Sequence, residues 1–202
     1  GRRSLAVIFK PPGWEVDDEG HVCGRPLSRY LQRRYPESAI AHDQEYKWGI
    51  LHRLDVPSSG LILAGTTFEG YYALKWQLDT ARIAREYTIA VHGESPPTLC
   101  AVDVPVHHVK EGSPALSVLP LARSARRSTV CEMGKPALTW LRIIAHAKQG
   151  SSELSLVAAR IRTGRRHQIR AHLLHVSCPT VADGKYLDAV VLTSNADEWP
   201  QR

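Results

Sequence analysis

The sequence predicts an α+β domain on a mixed, mainly antiparallel sheet with flanking helices. Ala84 to Gly93, AREYTIAVHG, alternates Tyr87, Ile89 and Val91 with small or polar residues, which is strand periodicity. Leu138 to Ala145 and Leu154 to Ile161 are two further apolar runs, and Lys148 to Ser151 supplies a hairpin turn between them. Helical spacing is confined to three well-separated stretches.

Taken in order, Leu5 to Phe9 is a short apolar strand stopped by Lys10-Pro11-Pro12-Gly13, where two prolines and a glycine force a turn. Pro26 to Tyr35 places Leu27, Tyr30 and Leu31 at helical spacing, with Arg29, Arg33 and Arg34 elsewhere on its surface. Leu61 to Ala64 reads as a buried strand, and Phe68 to Leu78 as a helix bearing Tyr72, Leu74 and Trp76. From Ser95 to Glu132 the pattern is poor, with prolines, His107-His108 and a basic cluster at Arg123, Arg126 and Arg127, so short strands and long loops are expected. Thr163 is placed to cap a helix and Gly164 to loosen the backbone there, with Ile169, Leu173 and Val176 forming the buried stripe. Such a helix presents Arg165, His167, Gln168 and Arg170 from its first turns, a set of donors suited to an anion. His172 and His175 read as packing histidines.

At 202 residues the chain is long enough for one substantial core, and residues 1–202 are expected to form one domain. Hydrophobic content of 43% beside 23% charged residues describes an ordinary globular protein. No apolar run approaches the roughly 18 residues of a membrane span. The formal charge is +6, most of it from arginine, whose planar fork matches phosphate and base edges, so the balance leans toward nucleic acid. Cys23, Cys100, Cys131 and Cys178 lack C-x-x-C spacing, which argues against a zinc ribbon or redox pair. They read as reduced, mostly buried thiols of an intracellular protein, in the cytoplasm or an organelle such as the mitochondrion. The chain opens at Gly1 rather than Met, which leaves its native N-terminus and any targeting segment open.

Trp48 to Thr67, WGILHRLDVPSSGLILAGTT, concentrates chemistry: His52, Arg53 and Asp55 stand within four residues, followed by a turn and a buried strand. A polar loop leading into a rigid strand holds a side chain at a cleft. Spacing by itself also fits a solvated surface pair. The string HRLD-x-x-S-S-G-L-I-L-A closely resembles the HRLD-x-x-T-S-G-L signature of the RluA-type pseudouridine synthase family, with Ser58 keeping the hydroxyl of the usual Thr. Lys10 to Gly13 is similar to the family's K-P-x-G turn, and Gly134 to Ala137 to its G-K-P-A entry to a strand. The Tyr87 strand resembles K-x-Y-x-A-x-V-x-G, with Arg85 in place of Lys. Arg162 to His175, RTGRRHQIRAHLLH, resembles T-G-R-T/S-H-Q-x-R-x-H, and Pro179 to Tyr186 resembles P-x-x-G-D-x-x-Y. Departures are Arg166 for the hydroxyl residue, Ser177 for a usual Gly, and Ala182 for the Gly before Asp183. The resemblance covers roughly residues 5 to 186, with gaps. Family members continue past this tyrosine with further sheet strands, whereas Leu187 to Arg202 shows no convincing strand pair, so a domain shortened at its C-terminus and without a preceding RNA-binding domain is expected.

The resemblance implies the pseudouridine synthase fold, with Asp55, Tyr87 and Arg170 meeting at a central cleft. Asp55 is then the catalytic residue, Tyr87 packs against the target base, and Arg170 pairs with Asp55. His52, Arg53, Arg165, His167 and Gln168 are expected to bind RNA. Making pseudouridine requires breaking the bond from C1′ to N1, turning the uracil and joining C1′ to C5, so neither metal nor redox cofactor is expected. A carboxylate suffices, as nucleophile at C1′ or base at C2′, and the sequence leaves both routes open. The expected partner is structured RNA, ribosomal or transfer, with ribosomal or other proteins as further partners and no membrane. A non-catalytic RNA-binding or ribosome-associated protein of the same fold is the rival reading. The short C-terminus favours it, and the intact Asp, Tyr and Arg set opposes it. A metal-dependent hydrolase lacks ligand spacing among its histidines.

Overall fold

The computed structural model describes residues 4–16, 26–108, 128–150 and 152–186. The chain forms two compact units, Gly1–Ile83 and Ala84–Arg202. The arginine cluster at 123, 126 and 127 and the stretch from Leu187 to Arg202 lie outside the described residues.

In the first unit, β1 (Leu5–Lys10) pairs antiparallel with β2 (Gly60–Gly65), from Leu5 opposite Gly65 to Lys10 opposite Gly60. The pleat sends Ala6, Ile8 and Lys10 inward while Leu5, Val7 and Phe9 face outward. Helix α1 (Leu27–Arg34) buries Leu27 and Leu31, but Tyr30, expected on the same stripe, is exposed. Short 3-10 turns at Ala39–His42 and Lys47–Gly49 lead toward β2, and Ile40, Ile50, Ile62 and Ala64 fill the core there. Gly49, at φ +80, is required for space as well as for conformation, because a Cβ would lie 2.3 Å from the Gly65 carbonyl oxygen. Helix α2 (Phe68–Asp79) is capped by Thr67, whose hydroxyl oxygen accepts the Gly70 N–H at 3.1 Å.

In the second unit β3 (Arg85–His92), β4 (Ala101–Asp103), β7 (Leu138–Gln149) and β8 (Ser152–Ile161) make a four-stranded sheet in the order β3-β8-β7-β4. β5 (Val106–His108) and β6 (Ser128–Val130) form a separate pair. Every ladder among the described strands is antiparallel, as the hairpin pattern requires. β7 and β8 run longer than the apolar runs alone indicate, with pairing carried to Gln149 opposite Ser152, and the register slips at a bulge between Ile143 and Ala145. Val91, Val102, Leu141, Val157, Ala159, Leu173 and Cys178 form the core. Of the thiols expected to be mostly buried, Cys178 is buried, Cys131 is half-buried and Cys100 is exposed, while Cys23 lies outside the described residues.

Helix α3 (Gln168–His175) starts later than the Thr163 cap predicts. Gln168 explains the delay. Its side-chain oxygen accepts the Thr163 hydroxyl at 2.7 Å and the Arg165 N–H at 3.1 Å, so the loop closes on the glutamine and Thr163 does not cap the helix. His167 then enters the helix in the left-handed region at φ +52.

Ser177 (φ +60) and Ala182 (φ +56) also occupy the left-handed region, where a Cβ is disfavoured. Both are positions at which the resembled motif carries glycine. Ser177→Gly and Ala182→Gly are each expected to raise stability by about 0.5–1 kcal/mol. Urea midpoints that stay level or fall in both variants would contradict this backbone geometry.

Candidate active site

In the first unit the loop from Leu51 to Ser59 carries His52, Arg53 and Asp55, and it is fastened from three directions. The buried ammonium of Lys10 donates to the carbonyls of Pro11 (3.1 Å), Trp14 (2.9 Å) and Val56 (3.2 Å). All three of its N–H bonds are thereby used, and the prolyl turn after β1 is tied to the residue next to Asp55. The Gly13 N–H reaches the same Val56 carbonyl at 2.8 Å. On the other flank His52 Nε2 accepts the Leu63 N–H of β2 at 3.1 Å, which fixes its neutral tautomer with the proton on Nδ1. The Leu54 side chain is buried, and the Ser58 N–H closes a turn on the Asp55 carbonyl at 3.0 Å. With Leu54 anchored inward, Arg53 is exposed and Asp55 half-buried. Burial pushes the Lys10 ammonium below the usual lysine range, and the Asp55 charge opposes that shift. Lys10 thus links the Asp55 loop to the core both mechanically and electrostatically.

In the second unit Tyr87 lies half-buried on β3 opposite Ala159, packed against the core. Two residues earlier, Arg85, opposite Ile161 at the end of β8, donates from Nη2 to the Arg162 carbonyl at 2.5 Å. Its guanidinium lies where a side chain on residue 164 would stand, since a Cβ on Gly164 would meet Arg85 Nη1 at 2.6 Å. The arginine in place of the usual lysine therefore braces the entry to the loop before α3.

That loop holds the other residues singled out in the sequence. Arg165 donates from Nε to the Pro136 carbonyl at 3.1 Å. Gln168 is 2% exposed, and besides its two acceptor bonds its amide donates to the Leu138 carbonyl (3.0 Å) and the Thr139 hydroxyl (3.1 Å). Thr139 passes the chain on to His172 Nδ1 at 2.9 Å, and His172 Nε2 reaches the Val104 carbonyl at 3.0 Å. Because a carbonyl only accepts, the His172 proton sits on Nε2 and Thr139 donates to Nδ1. Burial pushes the His172 pKa down despite that backbone hydrogen bond, and the ring works as packing. His167 is also buried, with Nδ1 3.0 Å from the Tyr186 hydroxyl. Gln168 and His167 thus support the loop from within, and Arg165 and Arg166 are half-buried above them.

Arg170 is the third residue of α3, in its first turn. Asp183 holds it with two bonds, from Nε at 2.6 Å and Nη2 at 2.5 Å, and the side chains are only 14% and 7% exposed. Tyr186 lies under the guanidinium, 4.7 Å from ring centroid to Cζ. The Tyr186 hydroxyl is itself fixed, accepting the Ser128 N–H at 2.9 Å and donating to the Ser128 carbonyl at 3.0 Å. Lys10, Asp183 and Tyr186 carry structural weight that sequence reading did not assign. The signals were present, since Lys10 opens the prolyl turn and both Asp183 and Tyr186 belong to a recognised string, but spacing alone does not announce which partners they take. Among the described residues no group of three His, Cys, Asp or Glu side chains is placed to hold a metal ion, and no helix is long and apolar enough to cross a membrane.

Residues 4–175 match the family model described as RNA pseudouridylate synthase. The ribosomal large subunit pseudouridine synthase D of Buchnera aphidicola is 33% identical over 186 residues, covering 90% of this chain and 52% of the relative. The protein of the same name from Yersinia pestis is 33% identical, with 90% and 50% covered. An uncharacterized RNA pseudouridine synthase of Bacillus subtilis is 28% identical, with 91% and 55% covered. The chain spans about half the length of these relatives. Among solved structures, human RNA pseudouridylate synthase domain containing 1 superposes with a TM-score of 0.71 at 19% identity, covering 95% of this chain and 69% of that one, a likeness of fold.

Proposed function

The chain belongs to the RluA-type RNA pseudouridylate synthase family, and from that membership we propose that it isomerises uridine to pseudouridine within RNA, with Asp55 as the catalytic carboxylate. The observation that carries this reading is the fastening of the Asp55 loop. A half-buried carboxylate stands on a segment braced by a buried lysine, a backbone bond to the prolyl turn and a histidine tied to β2. Rigid support of that kind is what a group aimed at one sugar carbon needs. The reaction is an isomerisation: the C1′–N1 bond breaks, C1′–C5 forms, C5 loses its proton and N1 gains one. Asp55 either attacks C1′ or removes the proton at C2′.

The target atom is inaccessible inside stacked RNA, so the nucleotide is flipped out of the stack, with the Tyr87 ring as its packing surface. Arg170 supplies positive charge to the catalytic centre. Arg53 and Arg165 contact RNA, while His52, His167 and Gln168 set the loops from which those contacts are made. Ribosomal RNA is the first substrate to test, because the named relatives are ribosomal large subunit synthases. Phosphate contacts make binding weaken with salt. A map of pseudouridines in cellular RNA with and without the protein tests the reading. At least one uridine is expected to lose its modification in the protein's absence and to regain it when the chain is restored, and an unchanged map contradicts the proposal.

Tyr87→Phe is expected to keep single-turnover activity within about tenfold of the parent, because the stacking face survives loss of the hydroxyl. A rate near zero with RNA affinity unchanged would reassign the hydroxyl to proton transfer.

A further inference from the structure

We infer that Asp183, with Tyr186 beneath, is a positioning residue that sets the orientation in which Arg170 serves the reaction. This rests on the proposed role of Arg170. The carboxylate takes Nε and Nη2, two of the guanidinium's nitrogens on one edge, so both oxygens are used and the plane of the fork is fixed. The Tyr186 ring covers one face at 4.7 Å and blocks rotation out of that plane. With one edge and one face taken, the guanidinium directs its remaining N–H bonds, on Nη1 and the far side of Nη2, in one defined direction.

The clamp is itself held. Asp183 Oδ1 accepts the Lys185 N–H at 3.2 Å, and the Tyr186 N–H closes on the Asp183 carbonyl at 2.9 Å. Ala182, left-handed at φ +56, turns the chain immediately before the carboxylate. The Tyr186 hydroxyl is locked to Ser128 at both N–H and carbonyl, and His167 Nδ1 lies 3.0 Å from it. A guanidinium needed only for its charge would not require two oxygens, a ring and a strained turn. These parts supply orientation, which a transition state rewards and ground-state binding does not.

The test is the steady-state kinetics of Asp183→Asn, Arg170→Lys and the double variant on one modified RNA. Asp183→Asn is expected to lower kcat at least about tenfold with KM within about twofold, because a misaimed donor costs the transition state rather than RNA binding. Once Arg170→Lys has removed the fork, adding Asp183→Asn is expected to cost less than about twofold more. Equal losses from Asp183→Asn in both backgrounds, or parental kcat in the single variant, would overturn the inference while leaving the role of Arg170 intact. Parental kcat for Arg170→Lys would instead show that only the charge at position 170 is used, which overturns the inference while leaving that charge its role. If Asp183→Asn does not fold, Asp183→Glu takes its place. It keeps the charge but shifts the guanidinium by a methylene, and is held to the same kcat loss with KM kept.

Discussion

Asp55→Asn is expected to abolish pseudouridine formation, lowering the single-turnover rate by at least about 10³-fold, while the protein folds and binds the same RNA within about threefold of the parent. The substitution removes the charge and the nucleophile but almost no volume. The loop that carries residue 55 is held by the Lys10 ammonium on the Val56 carbonyl, the Gly13 N–H on the same oxygen, and His52 on the Leu63 N–H, none of which uses the Asp55 carboxylate. On the proposed function, affinity would come from phosphate contacts spread over many arginines, whereas chemistry would depend on one carboxylate. Measured together, rate and affinity separate the two. A variant with a rate within tenfold of the parent would show that another group does the chemistry.

Arg170→Lys is expected to lower kcat about 10²-fold even though the positive charge remains. A lysine ammonium is a point donor on a flexible stem, and it cannot hold both Asp183 oxygens in plane while stacking on Tyr186. The measurement is kcat and KM on one RNA, with the loss falling on kcat. A lysine variant as fast as the parent would show that charge alone is needed.

What was legible in the sequence follows from what local pattern encodes. Short apolar runs bounded by turn residues gave β1, β2, β7 and β8, alternation gave β3 because the pleat puts every second side chain on one face, and the bulky residues from Phe68 to Leu78 gave α2, whose Thr67 cap was not foreseen. The start of α3 was not legible, since Gln168 draws Thr163 and Arg165 into a closed loop and a side chain's choice of partner leaves no periodic trace. The left-handed turns at Ser177 and Ala182 were hidden for a related reason: neither residue advertises positive φ as glycine does. Candidate site residues were found by resemblance to a family string. Their supports, Lys10 on Val56 and Asp183 on Arg170, are contacts between segments remote or merely neighbouring in sequence, which spacing alone does not announce. Gln168 and His167 show the converse, polar residues in a conspicuous motif whose bonds are spent inside the protein.

Incubation of the chain, with its natural partners present, on RNA carrying uridine tritiated at C5 tests the central claim directly. Joining C1′ to C5 expels that hydrogen, so tritium release to water in step with pseudouridine formed is the predicted result. No release from any RNA the chain demonstrably binds would contradict the account, leaving an RNA-binding protein in which Asp55 has no catalytic task.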